Sequence, residues 1–103
     1  MAATKLTNKI ILKMLKDRSI DIKKRFKVRK LGLFGSYAVN KAKNRSDIDI
    51  LVEFDQPTFD NYMDLKFYLE DLFKTKVDLV MMDTLKPAIK SRILEEVQLV
   101  SGI

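Results

Sequence analysis

Cysteine and histidine are both absent from the 103 residues, and the two absences exclude much familiar catalytic chemistry. Without cysteine there is no disulfide, no thiolate metal site and no thiol nucleophile. Without histidine, Ser-His hydrolases, most zinc enzymes and every imidazole general base fall away. Glycine and proline number only 3 and 2. No Gly/Ser/Pro-rich linker, low-complexity tract or fixed-period repeat marks a boundary, so one domain over 1–103 is expected. No apolar run is long enough to cross a membrane. Nothing near Met1 resembles a signal peptide, because Leu6 to Leu15 is interrupted by Asn8, Lys9 and Lys13. A cytoplasmic location is the expectation. Any chemistry must use carboxylates, lysine, arginine, hydroxyls or the backbone.

What the chain does have is 47% apolar and 33% charged residues, the composition of a packed domain. Its net charge of +6 is unevenly spread. Residues 1–45 carry 14 Lys/Arg against only Asp17 and Asp21, whereas 46–103 carry 6 Lys/Arg against 12 Asp/Glu. A basic half joined to an acidic half suits phosphate meeting a carboxylate-bound cation, although ordinary solvated lysine faces are the stronger starting reading. Charge alone leaves function open.

Apolar spacing predicts an amphipathic helix over Thr7 to Lys16, with Leu6, Ile10, Met14 and Leu15 on one face. Ser19 is positioned to cap a second helix through about Arg25. Val28 to Phe34 reads as a strand ending at Gly35-Ser36. Tyr37 to Lys41 follows as one or two helical turns, with Asn40 suited to a left-handed close. The β-branched run Asp47 to Phe54 predicts a second strand. Asp60 to Lys74 is the clearest helix, striped by Tyr62, Leu65, Leu69, Leu72 and Phe73. Lys76 to Met81 is a third strand. Leu85, Ile89, Ile93, Leu94 and Val97 mark a last helix with Pro87 in its first turn. The order α-α-β-α-β-α-β-α predicts an α/β (α+β) fold, a small mixed sheet of three or four strands flanked by helices. A core this modest makes a partner or a homodimer a reasonable expectation.

Three features carry chemistry. Gly35-Ser36 sits at a strand-to-helix turn, where glycine admits close approach and amides are unpaired. A plain helix start explains the same pair. Asp47 and Asp49 lie two apart on a strand, so their carboxylates share a face. Their repulsion is offset by a hard divalent cation such as Mg²⁺ or Mn²⁺, or relieved by solvation at a strand start. Asp78 lies inside a short apolar strand and is costly unless paired, metal-bound or facing water from an edge. If the two strands are adjacent, Asp78 joins Asp47 and Asp49.

Gly35-Ser36, then ten residues, then Asp47-x-Asp49, with Asp78 on a later strand, resembles the signature of the DNA polymerase beta-like nucleotidyltransferases. The chain is most similar to their minimal branch, from about Lys30 to Val100. The resemblance rests on Leu31-Gly-Leu-Phe-Gly-Ser-Tyr-Ala38, Ser46-Asp-Ile-Asp-Ile-Leu-Val-Glu-Phe54 and Val77-Asp-Leu-Val80. It implies the polymerase beta-like core, with Gly35 and Ser36 holding the β- and γ-phosphates of ATP. It also implies that Asp47, Asp49 and Asp78 are catalytic and bind two metal ions, Mg²⁺ or Mn²⁺. Asp78 would further help to deprotonate the acceptor hydroxyl. One departure is Ala38-Val39-Asn40, where many relatives read Ala-Arg-Gly. Lys41, Lys43 or Arg45 are candidates to replace the missing charge, without arginine's bidentate geometry.

The family resemblance further implies a protein adenylyltransferase that acts as an antitoxin, moving AMP to a tyrosine of a helical HEPN toxin. Two other readings stand beside it. One is a catalytically weak module that neutralises its partner by binding alone. The other is transfer to a small molecule such as an aminoglycoside, for which 103 residues are expected to leave no room for an acceptor domain unless a second subunit supplies it. Tyr37, Tyr62 and Tyr68 could stack on a base, but aromatic residues at helical spacing are more often core, and that is the expectation. Lysines 23–30 could line a groove for nucleic acid. A solvated face accounts for them, so direct nucleic-acid binding is not expected.

Overall fold

The computed structural model describes residues 6–42 and 47–103. Lys43, Arg45 and Ser46 therefore lie outside the described residues. The chain runs α1 Asn8–Asp17, α2 Ser19–Phe26, β1 Val28–Phe34, α3 Gly35–Ala38, β2 Ile48–Phe54, α4 Phe59–Phe73 and β3 Val77–Met81. A 3-10 turn at Met82–Thr84, α5 Pro87–Glu96 and β4 Gln98–Leu99 complete it. The sheet order is β3-β2-β1-β4. β1 is antiparallel to β2 and to β4, whereas β2 and β3 are parallel with α4 as the crossover between them. The mixed four-stranded sheet matches the predicted class.

Helix starts and stops follow local chemistry. The hydroxyl oxygens of Thr7 and Thr58 accept from the amides of Ile10 and Asn61, capping α1 and α4. Lys27 and Lys74 close α2 and α4 in the left-handed region, at φ 56° and 55°. Asn40 adopts the same region, as its position predicts.

The two faces of the sheet are covered unequally. One face packs against three helices, where Ile11 and Leu15 of α1, Ile22 and Phe26 of α2, and Leu65, Leu69 and Phe73 of α4 meet Ile48, Ile50 and Val52. On the other face a much smaller cluster gathers Phe34, Leu51, Met82 and Ile93. This leaves the end of β2 and β3 nearest α3 thinly covered.

Several expectations need correction. Ile11, not Ile10, is the fully buried isoleucine of α1. Ser19 is the first helical residue of α2 rather than its cap, and is buried close to Gly102. The third helix begins at Gly35 itself, two residues before Tyr37. Ile89 and Leu94 of α5 remain exposed, leaving Ile93 as that helix's buried anchor. The fourth strand that the expected three or four allow for, without a position, is β4; it is two residues long and exists because Gly32 and Leu33 offer it an edge. Gly32 has no room for a side chain there, since a Cβ would lie 2.6 Å from Val97 Cγ2. All three tyrosines serve packing. Tyr37 is buried, Tyr62 donates its hydroxyl to the Leu79 carbonyl, and the Tyr68 ring lies 5.2 Å from that of Phe26.

Candidate active site

Sheet register brings the expected site residues together. Phe34, the last residue of β1, pairs with Asp49 on β2, and Asp49 pairs with Asp78 on β3. Gly35 follows Phe34 directly, so the turn, Asp49 and Asp78 lie along one line across three strands. Parallel neighbours are spaced about 4.8 Å apart, which sets the two carboxylates side by side. Period-two alternation puts Ile48 and Ile50 into the helix-covered core and Asp49 on the thinly covered face. Asp47 precedes β2 by one residue and shares that face; it is exposed.

Gly35 is required by geometry. Its φ of +72° favours glycine, and a Cβ there would run into the Asp49 carboxylate, with the carboxyl carbon only 2.8 Å away. Bare backbone therefore touches an acid at the start of α3. Ser36 follows within the same turn and is partly buried, and its carbonyl accepts from the Lys41 amide at 2.7 Å.

Asp49 is strongly perturbed. Its carboxyl is pushed up to about 6, first by burial, then by the charges of Asp78, Asp47 and Glu96, and by hydrogen bonding with Asp78. A half-buried acid surrounded by three others, with no basic partner among these causes, needs positive charge to be ionised comfortably. Asp78 lies on the edge strand and is exposed, so it both faces water and flanks Asp49.

The donor set is all hard oxygen, which suits Mg²⁺ or Mn²⁺. Among the described residues, no three acids converge closely enough to cage an ion by themselves. That arrangement fits an ion which arrives with a substrate, because Mg²⁺ is typically held by one or two carboxylates plus phosphate oxygens and water.

Glu96, at the end of α5, is a site residue the sequence reading missed. Its Oε1 accepts from the Gly35 amide at 3.2 Å. One signal was available: Glu95 and Glu96 occupy the last turn of a helix, where the backbone dipole disfavours acids. Gln98 fixes the same corner, its side-chain amide donating to the Ala38 carbonyl at 3.0 Å. Among the described residues no helix is long and apolar enough to cross a membrane.

Comparison with known proteins gives a consistent family. Residues 15–100 match the nucleotidyltransferase domain. Protein adenylyltransferase MntA of Thermococcus cleftensis is 42% identical over 93 residues, 89% of this chain and 94% of the relative. A solved structure described as a candidate minimal nucleotidyltransferase superposes with a TM-score of 0.78 at 27% identity, covering 93% of this chain and 98% of the other. The MNT antitoxin complex with a tri-AMPylated HEPN toxin from Shewanella oneidensis shares the fold, with a TM-score of 0.63 at 20% identity over 89% of this chain and 73% of that one. The chain is a nucleotidyltransferase and belongs to the nucleotidyltransferase domain family, in the minimal branch that includes the MntA-type protein adenylyltransferases.

Proposed function

We propose that this protein transfers AMP from ATP to a tyrosine hydroxyl of a HEPN-type toxin, and thereby acts as its antitoxin. The observation that carries the reading is the line Gly35, Asp49, Asp78 across three adjacent strands. A phosphate-approach point and two carboxylates are thereby held on one face. The AMPylated toxin in the Shewanella complex and the 42% identity to an adenylyltransferase support the choice of AMP and of a protein acceptor.

In this reading, Gly35 and Ser36 receive the β- and γ-phosphates. Asp47, Asp49 and Asp78 take the divalent ions that accompany the nucleotide. Those ions, when bound, stabilise the attacking and leaving oxygens of an in-line displacement. Asp78, exposed at the sheet edge, accepts the proton of the acceptor hydroxyl as its oxygen bonds to the α-phosphorus. The bond to the bridging oxygen breaks and pyrophosphate leaves. Above about pH 6 the Asp49 carboxylate is ionised against the repulsion of the acids around it, and a bound cation would relieve that repulsion.

Label transfer from α-phosphate-labelled ATP to a co-purified HEPN partner, with Mg²⁺, tests this reading. Wild type should label the partner, and Asp47→Asn/Asp49→Asn should lose transfer by at least about a thousandfold, roughly 4 kcal/mol. If the double variant still neutralises the toxin, the binding-only module is the correct account of the biological role.

A further inference from the structure

The Gly35 amide already has an anionic partner. Glu96 lies 61 positions further along the chain, yet its Oε1 accepts from Gly35 N–H at 3.2 Å in a partly buried setting. Its place in the fold is unfavourable on helix grounds. It ends α5 beside Glu95, and no basic residue shares that last turn. Glu96 also crowds its own neighbours, being one of the negative charges that face Asp49. A carboxylate kept where both the helix dipole and the adjacent acid oppose it points to a role in that corner.

We propose that Glu96 is a positioning residue that holds the Gly35 turn in the place of a phosphate oxygen. It must yield that amide when a triphosphate enters, so its charge sets how tightly the triphosphate binds. The inference rests on the proposed role of Gly35 and Ser36 in phosphate binding. A phosphate oxygen and a carboxylate oxygen accept from an N–H in the same way, and one amide hydrogen serves one of them well at a time. Without nucleotide, Glu96 keeps the amide paired and the left-handed Gly35 in register with Asp49. With nucleotide, the like charges repel and the carboxylate turns away. Room for that movement is present. A cavity of about 250 Å³ is lined by Phe34, Gly35, Ile89, Arg92, Ile93 and Glu96. Arg92 stands one helical turn before Glu96, so the displaced carboxylate finds a guanidinium on its own helix face.

Glu96→Gln separates the two parts of this role, because the amide oxygen still accepts from Gly35 while the charge is gone. The test is calorimetric titration of the full chain with ATP and with AMP, in Mg²⁺ and without acceptor. The variant should bind ATP about tenfold more tightly, equivalent to about 1.4 kcal/mol, with AMP affinity unchanged. Its melting temperature should not fall. Equal ATP affinity in the two proteins overturns the inference, as does an equal gain for ATP and AMP, while leaving the proposed function standing. Absence of ATP binding to the wild type overturns the phosphate role of Gly35 and Ser36, and this inference with it.

Discussion

The two faces of β2 are built to different rules. Toward the helices, Ile48, Ile50 and Val52 are each 0% exposed and packed among aliphatic and aromatic side chains. Toward the other side, one residue out of step, Asp49 sits among Asp47, Asp78 and Glu96 with its carboxyl pushed up to about 6. The first face supplies burial energy. The second gives stability away, because crowded carboxylates oppose folding until a cation neutralises them. A single strand can do both because its side chains alternate, and the rigid face fixes the position of the strained one.

The contrast can be broken from either side. Truncating the packed face should have the largest effect on folding. Ile50→Ala removes a fully buried side chain at the centre of the sheet and should cost about 3 kcal/mol in urea unfolding. Next is the contact between the faces, at the turn. Gly35→Ala places a methyl group against the Asp49 carboxylate and forces a left-handed alanine, costing about 2 kcal/mol in the same experiment. It should also abolish label transfer, since Asp49 must shift. The smallest effect belongs to neither face. Lys74→Gly relieves the left-handed close of α4 and should add about 0.5 kcal/mol with activity unchanged. The exposed Lys74–Asp71 pair it removes contributes little.

The packed face was largely legible in the sequence, and the other face only in part. Leu31 to Phe34 supplies the apolar run that a central strand needs, and the predicted bounds of that strand, Val28 to Phe34, match the structure. The helix predicted over Asp60 to Lys74 is α4 shifted by one residue at each end, although its Thr58 cap was not foreseen. The acids of β2 and β3 stand out because charge inside apolar strands is costly. Their adjacency, however, depends on strand order, which no local pattern encodes. The position of β4 was missed for the same reason: two residues carry no period, and pairing with Gly32 and Leu33 alone defines them. The face of α5 misled, since Ile89 and Leu94 keep helical spacing yet stay exposed above the thinly covered side. Glu96 needed three dimensions, because nothing nearby in sequence links it to Gly35.

The most direct test of this division of labour measures Asp49→Asn twice, for stability and for transfer. Stability is read with a chelator present, so that no cation offsets the acids. Because the fold raises the Asp49 carboxyl from 3.8 to about 6, ionising it costs stability as pH rises through that window. Below the lower value, the penalty is absent. The variant should therefore be more stable than wild type above pH 6, by about 1 kcal/mol after allowance for solvent screening, and equal to it near pH 4. Label transfer, measured separately on the same protein with Mg²⁺ and no chelator, should be lost. A variant that is less stable at pH 7, or one that still transfers AMP at the wild-type rate, would contradict the account.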